Sequence, residues 1–553
     1  MKINRKQLLL WSTLAAILVF SLFLRIVGIG RTESIDYHPD EWVLAQPIHQ
    51  IANQGQVGLK THYKWSGCGV IYPVGYSLYL LKPVFQEYSY ETILRILRVL
   101  SAIASVGSIW IAFLFLGHYH SIRAAYIGAV LLGVSKFPAI AGHYATLDSL
   151  TMLIAIVILL ASYKMFHLPE DSGKIPLARN FLLGMLIGWG IAVKWTLLLA
   201  AIPLFVAFVS AFFYAARIRQ KTAFLKQGLR QCIILGLGLV LGFLVFFPDV
   251  QFAPGKVKEG LDYETKHHQT GHYGAVLDDA GALGKKMQRT YSNFAACGGK
   301  ILVITGLCSL AFAFFKRNSL KWFLFFCFLL WTYVPFRNLV SPPRHYLVPF
   351  LIMILLLAIA ADFLLSVRSR TLRIAIYISA DLVILTSLLY TCINISPFWQ
   401  EDPRVACAKW IMNNVPEGSG VTWAPRHQPY NWAVPGTRIA PELFKQFPRQ
   451  AEPGKDQYFI VSPNVSGIFR KHPPTRKVVP SEWFPTQPPT QQEVLFFYEV
   501  NQGGGPTLEQ VKSFSSTPAF LGITLKLFGE SPHASPTFAC KDVQLFKIRK
   551  PTK

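Results

Sequence analysis

Gln7 to Trp42 reads QLLLWSTLAAILVFSLFLRIVGIGRTESIDYHPDEW, an apolar run through Ile29 followed by three carboxylates and an imidazole between Asp36 and Glu41. A helix needs about 20 apolar residues, rising ~1.5 Å each, to cross a bilayer, and this run is long enough. A basic start, Met1 to Lys6, precedes it, and no small-residue cleavage site follows. It therefore reads as a retained anchor rather than a signal peptide. The acidic stretch Asp36-Tyr37-His38-Pro39-Asp40-Glu41-Trp42 then lies at a membrane surface.

The same pattern repeats along the chain. The sequence is 52% hydrophobic and 15% charged, too few charges for an ordinary soluble protein of 553 residues. We expect about eleven crossings: Gln7–Ile29, Thr92–Leu116, Ala124–Gly142, Ser149–Phe166, Asn180–Lys194, Leu197–Ala216, Gln231–Val250, Lys300–Phe315, Leu320–Phe336, Tyr346–Leu365 and Ile374–Ile395. Asn180 to Ala216 is too long for one straight span, and Lys194 with Pro203 marks a hairpin near its middle. Gly69–Phe85 is apolar but short and carries Pro73, Gly75 and Pro83, so it reads as interfacial or re-entrant.

A net charge of +25 would suggest nucleic acid in a soluble chain. Here the basic residues cluster between apolar runs, and no recognition motif accompanies them. With a cytoplasmic N-terminus, the clusters around Lys2, Arg123, Lys174, the five from Arg217 to Arg230, Lys316 and Arg368 all fall inside. The chain then reads as a protein of the inner or plasma membrane. Its outer side collects Asp36–Trp42, Gly142–Asp148, the loop Asp249–Gly299 and Arg337–His345.

The expected fold class is an all-α polytopic membrane bundle over residues 1–395, with its first outer loop at 30–91. A small extracytoplasmic α/β or α+β domain follows over 396–553. In that tail Arg404–Val415 has helical spacing, while Val421–Ala424, Gln457–Val461, Val494–Val500 and Val543–Ile548 read as strands. Cys407 and Cys540 are able to pair there if the compartment is oxidising. The other cysteines show no zinc spacing.

Asp40 and Glu41 offer a general base, because a neighbouring carboxylate and partial desolvation both favour the protonated form of one of the two. The other is able to hold a divalent cation, with His38 as an extra ligand. The plainer reading makes Asp40 an N-cap for a helix starting at Glu41, with Leu44, Ile48 and Ile51 on its buried face. His143, Tyr144 and Asp148 form a second outer motif, in which Asp148 is also a natural cap. Lys136 and Lys194 fall inside apolar runs, where a lysine is expensive and marks a functional position or snorkels outward. Lys194, Lys136, Arg337, Arg344 and His345 are the candidates for binding a phosphate. His267, His268 and His272 are candidates for acceptor contact or a metal, although Gly271 argues against one regular helix through them. No Walker loop, dinucleotide fingerprint or hydrolase elbow is present.

Four segments together resemble the C-type glycosyltransferase superfamily, in its protein-mannosyltransferase and aminoarabinose-transferase-like branch. They are His38-Pro39-Asp40-Glu41, His143-Tyr144-Ala145-Thr146-Leu147-Asp148, Gly190-Ile191-Ala192-Val193-Lys194-Trp195 and Arg344-His345-Tyr346-Leu347-Val348-Pro349. In the last, His345 stands where many members go straight to the aromatic residue. The likeness covers Met1 to about Ile395, and Arg404–Val415 is similar to the start of the periplasmic tail in bacterial members. It implies a polyprenyl-phosphate sugar donor, inverting transfer to a lipid, protein or glycan acceptor, an outward-facing cavity, and Asp40 as the base. Metal dependence differs among branches. An oligosaccharyl transferase or glycan ligase is the neighbouring alternative; a membrane transporter is the alternative of another class.

Overall fold

Where the sequence carries apolar runs, the chain is helical. A computed structural model describes residues 5–30, 38, 40–55, 67–166, 177–217, 221–270, 283–312, 319–338, 342–423, 450–461, 499–500, 504–515, 518–524 and 543–549. Its helices are α1 (Arg5–Ile26), α2 (Glu41–Gln54), α3 (Cys68–Phe85), α4 (Tyr90–Tyr119), α5 (Ile122–Gly133), α6 (Lys136–His143), α7 (Asp148–Phe166), α8 (Leu177–Val193) and α9 (Ala201–Arg217). They continue with α10 (Lys221–Phe246), α11 (Asp249–Phe252), α12 (Pro254–Thr270), α13 (Leu283–Gly298), α14 (Lys300–Ala311), α15 (Ser319–Arg337), α16 (Leu347–Leu365), α17 (Arg370–Ile395) and α18 (Pro403–Asn414). Strands β1 (Gly420–Trp423), β2 (Gln457–Val461), β3 (Leu508–Phe514), β4 (Ala519–Phe520), β5 (Ile523–Thr524) and β6 (Val543–Ile548) complete it.

The chain forms two compact units. One comprises Met1–Ile26, Val43–Gln269 and Ala282–Thr391; the other comprises Val27–Trp42, Thr270–Gly281 and Cys392–Lys553.

The first unit is a helical bundle around α16, whose residues are apolar on every side and buried from Leu347 to Ala360. A helix apolar all round belongs in the centre. At the periphery, α1 and Gly228–Phe246 bury only 17% of their most apolar windows and leave Leu8, Val19, Leu237 and Val245 exposed, as lipid-facing helices should. Among the described residues six helices are long and apolar enough to cross a membrane, or up to eight if each of two bent pairs counts as one span. That is fewer than the eleven expected. Ala124–Gly142 is not one straight span, because α5 and α6 meet at a 56° bend. Of Lys300–Phe315, the residues after Phe312 lie outside the described ones, and the rest forms α14, bent 115° from α13. The segment Gly69–Phe85 forms α3 and is not among the candidate spans.

Two pairs of glycines bring α8 and α10 into backbone contact. A Cβ at Gly184 or Gly188 would lie 2.1 or 2.2 Å from the carbonyl oxygens of Leu235 and Leu239. One at Gly238 or Gly242 would strike those of Phe181 and Met185, at 2.2 and 2.4 Å. Gly-x-x-x-Gly on both helices is the small-residue packing expected in lipid, where close van der Waals contact replaces the hydrophobic effect.

The break between α5 and α6 leaves carbonyls without helical partners, and side chains from distant helices and from the break itself satisfy them. Arg25, fully buried, donates to Gly133 O at 3.1 Å and Leu132 O at 3.2 Å. Ser135 Oγ donates to Leu131 O at 2.5 Å and Thr391 Oγ1 to Val134 O at 2.7 Å.

In the second unit a four-stranded mixed sheet has the order β1-β2-β6-β3. β1 and β2 are parallel, and β6 runs antiparallel to both β2 and β3. α18 covers one face, burying Cys407, Ala408 and Ile411 with Val421, Ile460 and Leu545. This is the α+β tail expected from the sequence, with α18, β1, β2 and β6 within a residue of expectation. β3 was not expected; its alternation is interrupted by a register shift between Gln510 and Lys512. Of Val494–Val500 only Glu499 and Val500 are described, and they are helical. Burial pushes the Cys407 thiol up, so it is a poor nucleophile; Cys540 lies outside the described residues.

Candidate active site

The first unit contains a cavity of about 130 Å³ that joins three of the four quoted segments. Its lining includes Asp148, Lys194, Arg344 and His345, and its walls carry Trp195, Leu198, Leu199, Trp331, Val334, Pro335, Leu347 and Val348. Each polar group arrives from a helix end. α8 stops at Val193, Lys194 is extended (φ −151°, ψ 123°), and a 3₁₀ turn follows over Trp195–Ala200. The expected break near Lys194 is therefore present. Arg344 and His345 sit on another 3₁₀ turn, Pro343–Tyr346. α13 holds that turn through Cys297 Sγ, which donates to Pro343 O at 3.5 Å, and through Phe294 packed edge-on against Tyr346.

Lys194 Nζ donates to Asp148 Oδ1 at 2.5 Å, with the two side chains 17% and 5% exposed. Asp148 Oδ2 accepts from Thr146 Oγ1 at 3.2 Å, and Ser101 Oγ fixes Thr146 through its carbonyl. Asp148 is also the first residue of α7, where the helix dipole favours a carboxylate. The sequence reading of Asp148 as a cap puts it at the right helix end, but it is the first residue of α7 rather than the residue before it, and its carboxylate meets Lys194 and Thr146. A half-buried ammonium beside one carboxylate is compensated while still able to meet an incoming anion.

The remaining candidates lie elsewhere. Lys136 is buried at the start of α6, donates to Tyr390 Oη at 2.9 Å and stacks over that ring; it is not in the cavity lining. Arg337 ends α15 and is exposed, while the neighbouring Pro335 and Asn338 line the cavity. His143 is buried and its Nδ1 lies 2.9 Å from Ala139 O; since a carbonyl only accepts, Nδ1 carries the proton. Tyr144 is buried beside it. α12 ends at Thr270, before Gly271, so the described helix does not span the His268–His272 pair. The side chains of His267 and His268, and all of His272, lie outside the described residues.

His38, Asp40 and Glu41 belong to the second unit; Asp36, Tyr37 and Pro39 lie outside the described residues. α2 starts at Glu41 as expected, with Leu44, Ile48 and Ile51 buried. Its first amides turn back onto His38: Asp40 N–H donates to Nδ1 at 3.0 Å and Glu41 N–H to the carbonyl at 3.0 Å. Because Nδ1 accepts an amide, its 3.7 Å approach to Asp40 Oδ2 is not an ion pair, and this nitrogen is not open to a metal. Glu41 is fully buried, whereas the Asp40 side chain is 45% exposed. Among the described residues no three His, Cys, Asp or Glu side chains cluster as metal ligands.

Sequence reasoning missed Arg289, which donates to Asn338 O at 2.7 Å and so fixes the end of α15 at the cavity edge. It also missed Asp249, buried at the start of α11. The signal for Asp249 was a carboxylate directly after the apolar run that ends in Phe246-Phe247-Pro248.

No protein-family model matches the chain, and no curated protein matches it in sequence. Among solved structures, the Archaeoglobus fulgidus oligosaccharyltransferase in its apo form is similar at 13% identity, over 98% of this chain and 88% of that one, with a TM-score of 0.49. AglB from the same organism, in complex with an inhibitory peptide and a dolichol-phosphate, is 12% identical over 98% and 89%, TM-score 0.49. ArnT from Cupriavidus metallidurans, bound to undecaprenyl phosphate, is 13% identical over 86% and 96%, TM-score 0.45. Likenesses this distant assign neither a family nor an activity.

Proposed function

We propose that this chain is a membrane enzyme that holds a lipid phosphate. More particularly, we read it as a glycosyltransferase that takes a sugar, a hexose or pentose, from a polyprenyl-phosphate carrier. It passes that sugar to a hydroxyl or amine, or a phosphate, of a lipid, protein or glycan. The observation that carries this reading is the cavity that pairs Lys194, Arg344 and His345 with a wall of Trp195, Leu198, Trp331 and Leu347. An anion with an apolar tail matches both halves. Arginine suits the phosphate oxygens in a bidentate way, and lysine meets them as a point charge.

In the reaction the acceptor oxygen or nitrogen bonds to the anomeric carbon while the bond from that carbon to the phosphate oxygen breaks. The phosphate leaves with the bonding electrons, and Lys194 and Arg344 stabilise the charge that develops on it. A phosphate leaves readily, so no strong general acid is required. A base takes the acceptor's proton, and Asp40 is the residue we assign, on its motif and its open carboxylate. The active side is outward, with the N-terminus in the cytoplasm, from the distribution of the basic clusters.

The test is mass spectrometry of lipids and envelope glycans from cells that carry the wild type, an Asp40→Asn variant or no protein. A sugar present on one acceptor only with the wild type supports the reading. General base catalysis contributes about 10²–10⁴-fold, so Asp40→Asn should lose transfer nearly completely while still inserting. Normal turnover by that variant removes Asp40 from the mechanism.

A further inference from the structure

Asp249 does not line the cavity, yet it connects to Lys194 by a short chain of bonds. Its Oδ2 accepts a hydrogen bond from Tyr72 Oη at 2.7 Å and one from Cys68 Sγ at 3.6 Å. Cys68 and Tyr72 are four residues apart at the start of α3 and so share one face. Asp249 thus fixes where α3 begins.

The start of α3 is docked on the end of α8. Gly67 N–H donates to Val193 O at 3.1 Å, and the indole N–H of Trp189 donates to Gly69 O at 2.7 Å. A Cβ at Gly69 would lie 2.7 Å from the nitrogen of Val193, so only glycine permits this approach. Gly67 itself has φ +91°, which an ordinary side chain disfavours. The Val193 carbonyl and the Lys194 amide belong to one peptide plane. Its oxygen is taken by Gly67, and its N–H donates to Gly190 O at 2.8 Å. The plane is pinned at both edges, and from it the chain swings into the extended conformation that sends Lys194 to Asp148 and the cavity.

We propose that Asp249 is a positioning residue for Lys194. Acting through Tyr72 and the start of α3, it fixes the peptide from which the phosphate-binding ammonium departs. This role rests on the reading of Lys194 given above.

The experiment uses the full chain in lipid nanodiscs and measures affinity for a polyprenyl monophosphate. Wild type, Lys194→Met, Tyr72→Phe and Asp249→Asn are compared, with Tyr72→Phe also placed on the Lys194→Met background. Tyr72→Phe removes one oxygen and carries the test if Asp249→Asn fails to fold. The expected result is a roughly 3–10-fold loss of affinity for Tyr72→Phe and Asp249→Asn in the wild-type background. Once Lys194 is gone, Tyr72→Phe should cause no further loss, the non-additivity that marks action through one group. Unchanged affinity in the wild-type background overturns the proposal, as does an equal loss with or without Lys194, the mark of general loosening. No binding by wild type, or undiminished binding by Lys194→Met, overturns the phosphate reading itself and this role with it.

Discussion

Two apolar helices in the bundle break next to a lysine, and the two breaks are put to opposite use. Between α5 and α6 every carbonyl from Leu131 to Val134 is met by Arg25, Ser135 or Thr391, and Lys136 is buried against Tyr390. After α8, the chain instead opens into a 3₁₀ turn, and Lys194 reaches a cavity beside Asp148, Arg344 and His345. Irregular backbone at membrane depth is tolerated where protein buries it or where it lines a cavity. This protein uses both solutions. A lysine in an apolar run is thus an ambiguous sign until its partners are known.

The largest effect should follow from unplugging the closed break. Arg25→Leu leaves Gly133 O without its arginine partner, at about 1–3 kcal/mol for a buried polar group. It also removes the charged donor to Ser105 Oγ and Leu132 O, at about 1.5–3 kcal/mol more, although Leu132 O keeps the Ser135 N–H at 3.3 Å. A loss of roughly 2–6 kcal/mol is expected, seen as reduced recovery of folded protein and a lower melting temperature in detergent. A melting temperature equal to the wild type's would mean that water or a shift of α5 replaces the arginine. The closed break would then be no more sealed than the open one.

Next in size is Lys194→Met. A hydrogen bond to a charged group contributes about 1.5–3 kcal/mol, so donor affinity should fall roughly 10–100-fold. Stability should fall less than for Arg25→Leu, because Asp148 keeps Thr146 and the start of α7. Acceptor affinity should hold. Equal losses of donor and acceptor affinity would take the phosphate role away from Lys194.

A smaller effect tests one bond of the plug. Thr391→Val removes only the hydroxyl that meets Val134 O and keeps the shape, so a loss of about 1 kcal/mol is expected, read from the same melts. Combined with Arg25→Leu it should be non-additive, since both act on one short turn.

These contrasts mark what the sequence could and could not say. The break after Val193 was legible because Lys194 and Pro203 interrupt a run too long for one helix. The start of α2 at Glu41 was legible from the spacing of Leu44, Ile48 and Ile51. The break after Gly133 was not, because the residue that makes it tolerable, Arg25, lies 107 and 108 positions from the carbonyls it meets. The contact between α8 and α10 is written locally, in Gly184 with Gly188 and Gly238 with Gly242, but each pair becomes a packing motif only once the partner helix is known, since glycine by itself weakens a helix. For the cavity, Asp148, Lys194, Arg344 and His345 were singled out in the sequence, whereas Thr151, Asn338 and the part of the wall supplied by α15 were not. Trp331 and Pro335 read like any residues of a span until α15 is seen to end there.

The smallest expected effect is the most telling. Lys136→Met replaces a buried ammonium by an apolar side chain of similar length, removing a desolvation penalty together with the bond to Tyr390. The two changes oppose each other, so stability should move by less than about 1 kcal/mol in either direction. Donor affinity should stay within roughly twofold of wild type, because the side chain points at Tyr390 and is absent from the cavity lining. Measured beside Lys194→Met, it separates the two lysines by one quantity. A tenfold loss here would mean that the closed break communicates with the phosphate. The distinction between a sealed break and a working one would then disappear.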